Sequence, residues 1–102
     1  MPTIYKYFGL SFFFYANDHL PVHIHIEKGN RVAVAVFEML NGKLANIKFR
    51  KVSGANMLTP AELDLAKNLL TAKHEIILQR WTDFFVKNKK SFRTITITKR
   101  IK

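Results

Sequence analysis

The chain reads as an α+β domain: a curled antiparallel meander of about five strands packed by one or two C-terminal helices. Three observations predict it. Aromatic and β-branched segments fill the first half, glycine-asparagine pairs punctuate them at hairpin spacing, and a long amphipathic pattern with its own start signal occupies the second half. With 102 residues the chain has the length of one domain, and nothing in the pattern asks for a second core.

Residues 4–8 and 10–15 are dense in Phe, Tyr and Ile, types that favour strands, and Gly9 between them predicts a bend or bulge. Residues 11–15 carry aromatics on both faces, so this strand is expected to be central or covered on both sides. Asn17-Asp18 then signals a turn, and Leu20-Pro21 restarts an extended chain, because the residue before proline avoids the helical region. In the strand that follows, successive side chains point to opposite faces. His23, His25 and Glu27 therefore share one face, and Val22, Ile24 and Ile26 take the other, which should meet the core.

Gly29-Asn30 and Asn41-Gly42 are two-residue hairpin signals, the second in the order that favours a type I′ turn. Between them, residues 31–37 are apolar on both faces and should lie inside the sheet. Residues 44–52 alternate Ala45, Ile47 and Phe49 with Asn46, Lys48 and Arg50, a strand with one wet, basic face. After a loop at residues 53–56, Thr59 as N-cap, Pro60 at the first helical position, Glu62 at the third and Leu58 as hydrophobic staple mark a helix start. Leu63, Ala66, Leu70, Ile77, Trp81 and Phe84 recur at helical spacing, predicting a helix or a kinked pair from about Pro60 to about Lys87. The kink would fall near Thr71-Ala72, since one helix of about 28 residues is long for a domain of this size. Residues 92–98 alternate cleanly and are the candidate for an extra C-terminal edge strand, protected by flanking lysines and arginines. The expected division is a single α+β domain over residues 1–87 and a basic C-terminal extension over residues 88–102.

Composition narrows the setting. Zero cysteines removes disulfides and thiolate metal sites and fits a reducing cytosol. No stretch has the roughly 20 apolar residues of a membrane span, nor does the N-terminus carry an apolar run of signal-peptide length, so a soluble, cytoplasmic protein without a membrane partner is expected. The net charge of +10 invites a nucleic-acid reading, but its distribution matters more. Residues 84–102 hold seven basic side chains and no acid, which leaves +3 for residues 1–83. Most of the excess belongs to an appendage, either an anion-binding arm or a solubilising tail.

Pro2-Thr3-Ile4, the aromatic strand Phe12-Phe13-Phe14-Tyr15, the run Asn17-Asp18-His19-Leu20-Pro21-Val22-His23-Ile24-His25 and the late Glu75-Ile76-Ile77-Leu78-Gln79-Arg80-Trp81-Thr82-Asp83-Phe84-Phe85 together resemble a small bacterial family, the domain of unknown function 4160. The signature is Tyr-x-x-Asp-His-x-Pro-x-His-x-His, and the resemblance covers roughly residues 2 to 85. It implies a gene context like that of toxin-antitoxin modules and carries no established activity. Val22 stands where the family pattern usually shows a second proline, and residues 91–102 extend beyond its usual end, so the basic tail inherits no family role.

His19, His23 and His25 suit three chemistries. As metal ligands, two imidazoles two apart on a strand converge on one ion, a third from the preceding turn completes a three-histidine site for a divalent metal such as zinc, and Glu27 adds an oxygen or orients a ligand. As catalytic acid and base, histidines near neutrality divide the roles of phosphodiester cleavage. As binders, they engage phosphate or a partner's carboxylate. Against these stands a structural or interface role. His74 falls on the Leu70, Ile77, Trp81 stripe and is expected at the core edge with one ring nitrogen satisfied. Trp81, Phe84 and Phe85 read as helix-to-sheet packing. Lys48, Arg50 and Lys51, with Arg31 and Lys43 nearby, form a basic strip for a phosphate backbone or a solvated face, and Lys89, Lys90 and Arg93 are the corresponding candidates in the tail.

Three functions stay open: a nucleic-acid-associated or toxin-antitoxin-like component contacting RNA or DNA, a small hydrolase or nuclease using His19, His23 and His25, and an interaction module docking a neighbouring gene's product or a second copy in a homodimer. The sequence holds no nucleotide-phosphate glycine loop, no Ser/His/Asp order and no carboxylate pair at catalytic spacing.

Overall fold

A computed structural model describes residues 3–14, 22–87 and 93–101. The α+β expectation holds. The elements run β1 (Thr3–Tyr7), β2 (Leu10–Phe13), β3 (His23–Lys28), β4 (Arg31–Leu40), β5 (Lys43–Lys51), α1 (Pro60–Phe85) and β6 (Ile95–Ile97). They form one six-stranded sheet in the order β5-β4-β3-β2-β1-β6. All neighbours are antiparallel except β1 and β6, which pair in parallel, so the candidate C-terminal strand does close an edge.

Turn chemistry sets this meander. Asn41 and Gly42 take φ values of 52° and 78°, the expected type I′ pattern between β4 and β5. Phe8 and Gly9 take 48° and 80°, so what the sequence predicts as a bend or bulge at Gly9 is a second I′ hairpin turn. The bulge lies one strand earlier, where the β1–β2 register shifts between Thr3 and Tyr5. β2 and β4 both sit inside the sheet, as their two apolar faces demand.

The helix is one continuous element of 26 residues, with no break near Thr71-Ala72. Its buried stripe of Ala66, Leu69, Leu70, Ile77, Trp81 and Phe84 runs without a glycine or proline, and it touches both β5 and β1, so it lies across the strands and has a floor for most of its length. Against that stripe pack Tyr5, Tyr7, Leu10, Phe12, Ile24, Ile26, Ala33, Ala35, Phe37 and Ile47, all in one apolar cluster. Ile24 and Ile26 are fully buried while His23 and His25 are half-buried, which confirms the two faces assigned to β3. The chain end is tied to β1 by hydrogen bonds from Thr94 Oγ1 to the Thr3 carbonyl at 2.8 Å and from the Ile101 N–H to Tyr7 Oη at 2.8 Å. No helix among the described residues is long and apolar enough to cross a membrane.

One carboxylate joins these layers. Glu62 is only 6% exposed. Its Oε1 accepts from the Thr59 N–H at 2.8 Å while its own N–H donates to Thr59 Oγ1 at 3.2 Å, completing the expected capping box. The same carboxylate accepts a fork from Arg31, Nε to Oε1 at 2.8 Å and Nη2 to Oε2 at 2.6 Å. Lys28 Nζ stands 3.8 Å from Oε2, and its stem passes so close to the β1–β2 turn that a Cβ on Gly9 would meet Lys28 Cε at 3.1 Å. Helix start, β3–β4 hairpin and β1–β2 turn thus converge on one charge. The Arg31 fork, helped by the Thr59 N–H, lowers the Glu62 carboxyl from its ordinary 4.5 to about 2.

That shift sets a pH window. A carboxyl whose folded-state pKa is depressed stabilises fully above its unfolded value, and the contribution is lost as pH falls from about 4.5 through about 2. Thermal melts followed by circular dichroism should show this acid arm in the native protein and a flattened arm in Glu62→Gln. Thr59→Ala, which removes only the hydroxyl acceptor of the cap, is expected to lower stability by about 1 kcal/mol in urea denaturation with an unchanged m-value.

Candidate functional site

β3 turns its histidines away from Ile24 and Ile26, which pack in the apolar core. His23 and His25 are neighbours, their ring centroids 5.4 Å apart and inclined at 68°. Phe13 lies opposite His25 on β2 and stacks against it at 5.6 Å and 16°. Trp81, from the last third of the helix, lies 5.3 Å from His23 and 5.4 Å from Phe14. Aromatic rings therefore hold both half-buried imidazoles.

Register extends this pair into a surface. His25 lies opposite Val34, and Val34 opposite Arg50; His23 lies opposite Val36, and Val36 opposite Lys48. Directly paired residues share a face, so Arg50 and Lys48 stand on the histidine face with one strand of valines between. Two strand spacings of about 4.8 Å put each basic residue's backbone roughly 10 Å from its histidine's, within the combined reach of the side chains. Lys48 is well exposed, and its contact with Glu38 at 3.9 Å is a surface pair of the weak kind. Arg50 is exposed.

Not every candidate joins them. Lys51 lies opposite Ala33, a residue of the helix-facing core, so alternation turns it to the other side of the sheet from Lys48 and Arg50. Arg93 stands at the start of the β6 edge, at the far side of the sheet from β5, where its carbonyl accepts from Arg80 Nη1 at 3.4 Å. Glu27 is exposed on the histidine face, two residues beyond His25 and opposite Ser11. His19, Lys89 and Lys90 lie outside the described residues. Among the described residues no group of three or more His, Asp and Glu side chains is placed to share a metal ion. His74 is half-buried on the helix, with Nδ1 2.8 Å from the Thr71 carbonyl, so that nitrogen carries the proton and donates. Trp81, Phe84 and Phe85 pack with Phe14, as expected of a helix-to-sheet seam.

Sequence reasoning missed Phe13 as the ring that stacks on His25, and it missed Lys6, which lies opposite Ser11 on the same face. A signal for both was present. Reading Phe8-Gly9 as a two-residue turn pairs Tyr7 with Leu10 and Lys6 with Ser11, and the rest of the face follows by counting.

No curated protein matches the chain, and no solved structure matches it. A family model does, over residues 9–82, a span that runs from the β1–β2 turn through the histidine strand to the seam residue Trp81. Covering most of the chain and every strand from β2 to β5, that match shows that the protein belongs to the family described as Domain of unknown function (DUF4160).

Proposed function

We propose that the sheet face carrying His23 and His25 binds nucleic acid, and that the protein is a nucleic-acid-associated component of the toxin-antitoxin-like kind. One observation carries this reading: the register puts the histidine strand and the basic strand, separate candidates in the sequence, into shared cross-sheet rows. A phosphate held by Lys48 or Arg50 leaves its sugar and base over the half-buried Val34 and the imidazoles, a surface with both apolar and hydrogen-bonding character. Single strands suit such a face, because unstacked bases lie flat on a sheet that a duplex can only graze. The net charge of +10 favours approach of any polyanion.

The test is a titration of the full chain against labelled single-stranded RNA and DNA decamers across a range of salt. Binding at low salt that weakens steeply with added salt is expected. Lys48→Ala/Arg50→Ala should reduce the slope of log K against log salt by about 1.4, which is about 0.7 for each single-strand phosphate that the variant no longer neutralises. No binding at low salt removes the reading.

A second reading, phosphodiester hydrolysis by the same face, is favoured by the 5.4 Å separation of the His23 and His25 rings, which lets one act as base and the other as acid. RNA cleaved by the native protein, with or without zinc, and left whole by a folded His23→Ala/His25→Ala variant is the expected result. Equal cleavage by both proteins would rule the imidazoles out.

A further inference from the structure

Phe8 sits where both its backbone and its exposure are unfavourable. It holds the first central position of the β1–β2 turn at φ 48°, a conformation that glycine, asparagine and aspartate adopt readily and a bulky side chain adopts only at a cost. Its ring is 44% exposed, with one flank on Tyr7 at 4.8 Å between centroids. The turn would be better served by asparagine, and the core gains little from this ring. Strain retained at an exposed aromatic points to a use for the ring itself.

What lies beside it gives that use a chemistry. Phe8 borders a groove of about 440 Å³ that is also lined by Lys6, Ser11, Thr96 and Thr98. Lys6 lies opposite Ser11 on β2 and beside Thr96 on β6, so it is flanked by hydroxyl-bearing residues on both neighbouring strands. Ser11 in turn lies opposite Glu27, the next residue after His25 on the outward side of β3. The groove therefore opens on the histidine face, and Glu27 marks its acidic limit, which places an anion on the β1–β6 side. A flat aromatic, one cation and three hydroxyls around a space of small-molecule size are the complement of a nucleotide: a base for the ring, a phosphate for the rest.

We propose that this groove is a nucleotide subsite in which a base stacks on Phe8 while Lys6, Ser11, Thr96 and Thr98 hold the adjoining phosphate, so that a single strand crosses the sheet from β5 to β1. The inference rests on the reading of the histidine face as a nucleic-acid surface and extends it by two strands, β2 and β1. From β5 to β1 is roughly 19 Å at about 4.8 Å per strand, a span that three or four nucleotides cover.

The experiment compares a labelled single-stranded RNA decamer with polyphosphate of equal charge, at low salt, on the full chain. Phe8→Asn should raise the melting temperature, because asparagine relieves the turn, and yet weaken RNA binding by about tenfold while leaving polyphosphate binding unchanged. Lys6→Gln should reduce the salt slope for RNA by about 0.7. A ring with a merely structural role moves stability in the opposite direction. RNA binding that falls in Lys48→Ala/Arg50→Ala but is the same in Phe8→Asn and Lys6→Gln as in the native protein overturns this subsite and leaves the proposed function standing. Equal weakening of RNA and polyphosphate by Phe8→Asn overturns base stacking, and no RNA binding by the native chain overturns both.

Discussion

The Glu62 carboxylate is the point on which the layers agree. A helix laid across a sheet can slide or rotate on an apolar floor, because hydrophobic contact has no direction. A forked guanidinium does have direction: the two Arg31 hydrogen bonds define the plane and distance of the carboxylate, and the capping box defines where that carboxylate sits on the first turn. The helix start is thereby indexed to the β3–β4 hairpin. Lys28, beside the same oxygen and against Gly9, carries the index on to the β1–β2 turn.

That anchoring matters for the outward face, although Glu62 lies away from it. The histidines belong to β3, and the far end of the helix delivers Trp81 against His23. If the helix start moved, Trp81 would lose its seat between Phe14 and His23, and the aromatic frame around the imidazoles would open. The division of labour is ordinary for α+β proteins: one sheet face is given to the core, which frees the other to carry polar side chains in fixed rows.

Much of this was legible in the chain. Alternation in residues 22–27 placed the histidines outward and the isoleucines inward, Asn41-Gly42 set one hairpin, and Leu58, Thr59, Pro60 and Glu62 marked the helix start. Gly9 reads as a bend or bulge because an aromatic at the first position of an I′ turn runs against the usual residue preferences, so the local signal is weakest where the backbone is strained. Of the two alternatives, one helix or a pair kinked near Thr71-Ala72, the single helix forms because the sheet supplies a long floor, a tertiary fact that no helical periodicity contains. Grouping Lys51 with Lys48 and Arg50 treats a run of charge as a surface, whereas alternation sends the odd member to the opposite face.

The sequence by itself determined local geometry: which segments are extended, which side chains share a strand face, where the helix begins, and that charge gathers late in the chain. Those properties follow from steric and capping rules that act within a few residues. The tertiary structure decided what meets what. It placed Arg31 on Glu62, Arg50 in line with His25, Phe13 on the imidazole, and Lys6 between Ser11 and Thr96, all contacts between separate strands or layers. Such pairings depend on register, and a slip of one residue would turn every second side chain to the other face. The histidine strand therefore had its orientation from its own alternation, and gained its basic and aromatic neighbours only when the meander closed around it.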